Sequence, residues 1–113
     1  MSHPSRRKGD RFEYEVVHDF QAAGIDARRA FGSNGESLTT ADGERCNSDV
    51  DVLVAGRIRA QLKRRRSIAS YLQPPPDVDI AVVREDRGES LVVMRLRDFM
   101  RLLHAAIAAE EFE

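Results

Sequence analysis

Two short runs of alternating apolar and polar residues, one on either side of Gly56, constrain the fold of this chain more than any other feature. They are residues 49–54 (Asp-Val-Asp-Val-Leu-Val) and residues 58–63 (Ile-Arg-Ala-Gln-Leu-Lys). Such runs, joined by a glycine-containing turn, are typical of an antiparallel hairpin. If Val54 pairs with Ile58, the apolar side chains of both runs share one face. The loop must then hold an odd number of residues, with Gly56 relieving strain, because a two-residue turn would mix the faces.

The same register predicts where the polar residues of the hairpin lie. Asp51 falls opposite Gln61, and Asp49 falls opposite Lys63, all on the face away from the valines. Aspartates flanked by valines are, taken alone, equally typical of the solvent face of an edge strand. The facing Gln61 and Lys63 favour a functional site over that simpler interpretation.

The chain before the hairpin predicts a helix over residues 10–23, because apolar residues recur there at three- and four-residue spacing up to Gly24. On this helix Glu13 stacks with the apolar positions three and four residues later and so lies at the edge of the core-facing stripe. Glu15 instead faces the solvated side. After the helix, the pattern predicts a short strand over residues 25–31 and a long surface loop over residues 32–47.

The chain after the hairpin predicts further helices and strands. They are a short helix over residues 67–73, strands over 78–83 and 91–96, and a helix from residue 97 towards 112. The buried stripe of the last helix is expected to comprise Phe99, Leu102, Leu103, Ala106 and Ile107. This order of elements predicts an α/β sandwich on a mixed sheet, formed by a single domain over residues 1–113.

Charge is distributed unevenly along the chain, although the formal net charge is only -1. Basic residues crowd residues 57–66, and acidic residues crowd residues 36–51 just before them. A basic strip beside an acidic pocket suits an enzyme that acts on phosphodiesters.

Composition excludes several classes of protein. Cys46 is the only cysteine, so the chain can form neither an intrachain disulfide nor a zinc knuckle. No apolar run approaches the length needed to cross a bilayer. We therefore expect a soluble cytoplasmic protein with no membrane partner.

Glu13 on a helix, Asp51 on a strand and Gln61-Leu62-Lys63 on the paired strand fit metal-assisted phosphodiester hydrolysis. Mg²⁺ prefers oxygen ligands and retains some of its waters, which matches two carboxylates and the Gln61 side-chain carbonyl; Mn²⁺ is expected to substitute. Lys63 lies two residues after Gln61, on the same strand face, where its ammonium would steady the attacking water and the developing negative charge.

Four motifs resemble those of the archaeal-type Holliday junction resolvases, within the PD-(D/E)XK nucleases, over roughly the first two thirds of the chain. They are Arg7-Lys8-Gly9 followed by a helix with Glu13, Arg29-Ala30-Phe31-Gly32-Ser33, Val50-Asp51-Val52-Leu53-Val54, and Gln61-Leu62-Lys63 where the family has Glu-x-Lys. The resemblance implies a restriction-endonuclease-like α/β/α sandwich with a central mixed sheet. It also implies magnesium-dependent cleavage of branched double-stranded DNA by a homodimer.

The residues expected to contact DNA are basic or can bind a phosphate. They are Arg6, Arg7, Lys8, Arg29, Ser33, Arg64, Arg65 and Arg66. A run such as Arg64 to Arg66 is usually a solvated charge cluster, but its place directly after the catalytic strand favours phosphate contacts. Phe31 and Tyr71 are expected to be core or loop anchors rather than side chains that stack on bases.

Two alternative functions stay open at this point. Gln-x-Lys also occurs in restriction enzymes of the Mrr kind and in a transposon end-cleaving nuclease, so a restriction-type or transposase-associated nuclease is one alternative. Replacing a carboxylate by Gln61 lowers the negative charge of the site and weakens metal binding. A non-catalytic DNA-binding module is therefore the other alternative.

Overall fold

The structure is a computed structural model that describes residues 4–111, and within them the side chains of residues 9–32 and 34–110. The chain divides into two compact units, Met1–Arg64 and Arg65–Glu113. The fold is of the mixed α/β type, with two α-helices and small antiparallel sheets in the described residues. None of the described helices combines the length and the apolar character that crossing a membrane requires.

The first unit packs one helix against a three-stranded antiparallel sheet. The helix α1 spans Pro4–Ala22, and the strands are β1 (Ala27–Arg29), β2 (Val52–Val54) and β3 (Ile58–Ala60), in the sheet order β1-β2-β3. Helix α1 thus begins earlier than the apolar periodicity predicts. All three residues of the central strand β2 are buried.

The end of α1 and its buried face agree with the sequence. Gly24 adopts a positive φ of 79°, and the Ile25 N–H donates to the Phe20 carbonyl at 2.9 Å, which is the hydrogen bond that closes a helix ending in a left-handed glycine. Glu13, Val16 and Phe20 form one buried stripe, whereas Glu15 is exposed. The expectation that Glu13 rather than Glu15 faces the core is confirmed.

The predicted hairpin register is confirmed for the three pairs nearest the turn, whereas the predicted pairing of Asp51 with Gln61 is wrong, because the Asp51 N–H bonds to Ala60. Val54 pairs with Ile58 and Val52 with Ala60, so the loop holds three residues, an odd number. Gly56 takes a positive φ of 67° in this loop, and Ala55 before it also has a positive φ, of 54°. Both strands are shorter than the runs suggest, because the regular ladder ends at the Val52 and Ala60 pair.

Regular pairing ends where Asp51 enters the hairpin. The Asp51 N–H donates to the Ala60 carbonyl at 2.8 Å, and its carboxylate Oδ2 accepts from the Leu62 N–H at 2.7 Å. A short acidic side chain that captures a backbone N–H competes in this way with the ladder. Val50 consequently packs in a cluster with Leu53, rather than on the face of Val52 as strict alternation predicts.

Most described residues of the segment over residues 32–47 are exposed, as expected for a surface loop, but a few of its residues pack into the core of the first unit. The segment contains 3₁₀ turns at Phe31–Ser33 and Gly35–Ser37 and an antiparallel bridge between Thr39 and Arg45. Leu38 and Cys46 from this segment are buried, and they join a cluster on the side of β2 that carries Leu53. The cluster comprises Ala30, Leu38, Cys46, Val50 and Leu53.

The second unit consists of a hairpin and a helix. A 3₁₀ turn spans Ser70–Leu72, strands β4 (Ile80–Arg84) and β5 (Ser90–Met94) pair antiparallel, and α2 spans Leu96–Glu111. Arg95 donates to the carbonyls of Pro74, Pro75 and Val78 at 2.9 to 3.0 Å, which fastens the proline-rich segment to the start of the helix.

The apolar stripe expected in the last helix is not buried. Leu102 is 63% exposed, and no described residue of this unit is buried. The part of the predicted helix at Phe112 lies outside the described residues. Every strand pairing among the described residues is antiparallel.

Candidate functional site

Glu13 is the one polar or charged residue that the structure buries among its described side chains, with 6% of its surface exposed. Its Oε1 atom has no hydrogen-bond partner. Burial raises the pKa of Glu13, the positive charge of Arg29 lowers it, and the negative charges of Asp51 and Asp10 raise it again. A buried carboxylate without a full set of hydrogen bonds is costly to keep charged, and groups with perturbed pKa values are enriched at functional sites.

Arg29 balances part of the negative charge around Glu13. It projects from β1 on the sheet face that packs against α1, where its Nη2 donates to Asp10 Oδ1 at 2.7 Å and its Nη1 donates to the Tyr14 hydroxyl at 3.2 Å. Its Nε lies 3.6 Å from Glu13 Oε1, and its guanidinium stacks 4.4 Å from the centre of the Tyr14 ring. Arg29 therefore holds the acidic side chains of α1 in place, and its predicted contact with DNA stays a prediction.

Asp51 lies close enough to Glu13 for its charge to act on that carboxyl. Its placement depends on the break in the ladder, because strict alternation would put Asp51 on the same side of β2 as Leu53, away from α1. One carboxylate oxygen is held by the Leu62 N–H. The other, Oδ1, makes no hydrogen bond with any described residue and can serve as a ligand.

The pair of Glu13 and Asp51 offers hard oxygen ligands to a divalent cation. Two neighbouring carboxylates, one of them buried with an oxygen that makes no hydrogen bond, gain from a positive charge placed between them. Within the described residues, no group of three or more histidine, cysteine or acidic side chains has the arrangement of a complete metal site. Any cation here would thus take its remaining ligands from water, backbone or substrate.

Gln61 and Lys63 make no hydrogen bond or ion pair with this carboxylate pair within the described residues. Gln61 lines an open cleft of about 370 Å³ together with Asn47, Asp49 and Arg59. Neither side chain is buried, and neither makes a hydrogen bond or ion pair within the described part of the chain. The structure therefore brings Glu13 and Asp51 together but does not join Gln61 to them, and the metal-binding role of Gln61 stays a prediction.

The structure describes the side chains of some, but not all, of the remaining residues that are predicted to bind DNA. Arg64, Arg65 and Arg66 follow β3 as exposed side chains. The side chains of Arg6, Arg7, Lys8 and Ser33 lie outside the described residues. Contacts of all these residues with DNA stay predictions.

Three residues that sequence reasoning did not single out belong to the site. Asp10 lies one helical turn before Glu13, and Tyr14 follows Glu13, so both were within reach of the helical spacing that selected Glu13. Leu62 contributes only its backbone N–H to Asp51. No sequence signal indicates such a donor, because every residue except proline carries one.

Comparison with models of protein families, with curated proteins and with solved structures found no match.

Proposed function

We propose that this chain is a divalent-metal-dependent endodeoxyribonuclease of the PD-(D/E)XK type that cuts branched DNA, as the Holliday junction resolvases that it resembles do. The finer fold that we propose is the restriction-endonuclease-like α/β/α sandwich with a central mixed sheet. Mg²⁺ is the proposed cofactor, with Mn²⁺ as a substitute. A homodimer would provide two active sites, so that two strands are nicked symmetrically.

The observation that carries the proposal is the buried Glu13 carboxyl, whose Oε1 atom makes a 3.6 Å ion pair with Arg29 but no hydrogen bond, beside the charge of Asp51. The ion pair with Arg29 offsets part of the cost of burying Glu13, but its burial and the negative charges of Asp51 and Asp10 beside it still raise its pKa. Cation binding would offset both effects. The break in the ladder at Asp51 further supports the proposal, since it costs regular pairing and gains this proximity.

The chain's own residues have separable roles in the proposed reaction. A divalent cation held by Glu13 and Asp51 supplies the positive charge that activates a phosphodiester for attack by water. The Leu62 N–H fixes the Asp51 carboxylate, and Arg29 fixes the helix face that carries Glu13. Lys63, which has no described partner, is proposed to stabilise negative charge that develops on the phosphate.

The decisive experiment compares a labelled four-way junction with a linear duplex of the same sequence, in Mg²⁺ or in EDTA. The variant Asp51→Asn keeps a carbonyl oxygen for the Leu62 N–H but removes the charge, so we expect it to fold and to lose cleavage. Asp49→Asn, two residues away and exposed, is the matched control and should retain cleavage. Equal cleavage by wild type and Asp51→Asn would refute the proposed site.

The substrate panel also separates the proposed resolvase from other nucleases of this type. Paired, symmetric nicks near the branch point support a resolvase. Preferential cleavage of linear DNA at particular sequences or ends instead supports a restriction-type or transposase-associated nuclease.

A non-catalytic DNA-binding module is the second candidate function. It is favoured by the position of Gln61, which lines a cleft with Asp49 and Arg59 instead of completing the carboxylate pair. Its signature is junction binding without cleavage in Mg²⁺ or Mn²⁺. Replacing Gln61→Glu, which restores the carboxylate of the family motif, would leave this module inactive but should increase metal-dependent cleavage by a nuclease.

A further inference from the structure

Phe31 is the most exposed large hydrophobic side chain of the described residues, at 85%. The expectation that it anchors the core or a loop is therefore wrong. A large aromatic ring left in water at a defined position is more typical of a binding contact than of a structural element.

The backbone of Phe31 is held firmly although its ring is exposed. Its N–H donates to the Ser37 hydroxyl at 2.7 Å, and its carbonyl accepts from the Asn34 N–H at 3.1 Å. The Ser37 hydroxyl in turn donates to the Asn34 carbonyl at 2.9 Å. The ring thus extends from a turn whose backbone is fixed by hydrogen bonds, so little backbone entropy is lost when the ring binds a partner.

Phe31 also lies next to the candidate active site. The Ala30 N–H donates to the Asp51 carbonyl at 2.9 Å, so Phe31 follows directly after the residue that is hydrogen-bonded to the Asp51 backbone. A partner that touches the ring is consequently close to the proposed metal ligand.

The other strongly exposed aromatic residues already have neighbours for their rings. The Tyr14 ring is covered by the guanidinium of Arg29, at 4.4 Å from its centre. Tyr71 lines a cleft of the second unit with Leu72, Val83 and Leu91. Among the described residues, no ring or cation contact involves Phe31.

We propose that Phe31 stacks on a nucleobase that is unpaired or partly unstacked at the branch point, and that this contact selects branched over linear DNA. The proposal rests on the proposed function. Every base offers an aromatic face, so stacking is tolerant of sequence. In a regular duplex both faces of a base are already stacked, so a protein must spend free energy to unstack it. Bases at a branch point are already partly unstacked, so the same contact costs less there.

The test measures binding to a four-way junction and to a linear duplex in EDTA, where cleavage does not interfere. Phe31→Ala should weaken junction binding by about 5- to 160-fold, the range for removal of one aromatic side chain that stacks on a base. Duplex binding should stay unchanged. Tyr71→Ala is the control that removes another exposed ring, and it should alter neither affinity.

A second variant gives a direct signal for stacking. The chain contains no tryptophan, so Phe31→Trp introduces a unique fluorophore that can still stack. We expect its fluorescence to be quenched by the junction more strongly than by the duplex, with wild-type selectivity retained. Because position 31 is exposed, neither variant should change the thermal midpoint appreciably.

The outcomes distinguish this proposal from the proposed nuclease activity. An unchanged ratio of junction to duplex affinity in Phe31→Ala, or equal quenching of Phe31→Trp by both DNAs, overturns the stacking role even if wild type cuts junctions. Selective binding that depends on Phe31 without any cleavage supports the stacking role and overturns the nuclease. Absence of DNA binding by wild type overturns both.

Discussion

Replacing Gly35 by alanine should destabilise the first unit strongly, because the new methyl carbon has no room. It would lie 2.0 Å from the Asn47 carbonyl oxygen and 2.6 Å from that of Val50. Ordinary contact begins near 3.5 Å, so backbone must move by roughly 1.5 Å. Overpacking typically lowers the free energy of unfolding by about 1–3 kcal/mol. We expect a loss of about 3 kcal/mol here, because the clashing atoms belong to the backbone and cannot rotate away as a side chain can. At roughly 4 °C per kcal/mol, the thermal midpoint should fall by about 12 °C.

The assay is thermal unfolding followed by circular dichroism, with cleavage or DNA binding measured below the midpoint. Gly9→Ala is the matched control, because an added methyl there meets nothing within 4 Å. It replaces a helical glycine and should stabilise by about 0.5–1 kcal/mol. Since Asn47 and Val50 lead directly into Asp51, Gly35→Ala should also impair the proposed metal site. A midpoint within about 2 °C of wild type would refute the packing argument.

Three further predictions concern charge and packing. Glu13→Gln should stabilise the metal-free protein by roughly 1 kcal/mol at pH 7, because burial raises the pKa of Glu13 above 4.5 and the folded state therefore disfavours the charged carboxylate. This gain in unfolding free energy, measured by urea unfolding, should be complete above the pKa of Glu13 in the folded state. It should vanish below pH 4.5, where the carboxyl is protonated in both states. Changing Arg64, Arg65 and Arg66 to alanine should reduce the salt dependence of DNA binding by about 0.9 in log–log slope for each phosphate that the variant no longer neutralises. Leu53→Ala should cost about 2–5 kcal/mol of unfolding free energy, because Leu53 is buried in the cluster on the Cys46 side of the sheet.

Matched changes at exposed positions control these predictions. Glu15→Gln lies on the solvated side of the same helix and should leave stability nearly unchanged. Leu102→Ala removes an exposed leucine and should cost far less than Leu53→Ala. Glu13→Gln unfolding at a lower urea concentration than wild type at pH 7 would contradict the electrostatic argument. An unchanged salt slope would exclude phosphate contacts by the three arginines.

The parts of the fold that the sequence predicted correctly depend on local patterns. The register of Val54 with Ile58 follows from alternation within a few residues, and the helix end at Gly24 follows from one residue that tolerates a positive φ. The choice of Glu13 over Glu15 follows from helical spacing alone. Each pattern involves only residues that are close in sequence, within two helical turns or one hairpin, so packing against distant residues changes the resulting structure little.

The parts that the sequence did not predict depend on packing between distant residues. Leu38 and Cys46 are isolated apolar residues in a polar segment, and only the folded chain shows that they complete a core with Leu53. The role of Arg29 likewise depends on α1 meeting β1, which brings it to Asp10. The polar composition of the segment over residues 32–47 correctly indicated a mostly exposed loop but gave no sign that these two residues are buried.

The candidate site exists because of the irregularity at Asp51. In a regular ladder the valine face of β2 packs on α1 and every aspartate of the same run faces away from Glu13. The hydrogen bond from the Leu62 N–H to Asp51 Oδ2 replaces a ladder hydrogen bond, and the shift moves Val50 into the cluster with Leu53. Asp51 thereby comes within electrostatic reach of Glu13. With regular alternation the sheet would separate Asp51 from Glu13, so the proposed acidic site depends on the interrupted pairing at Asp51.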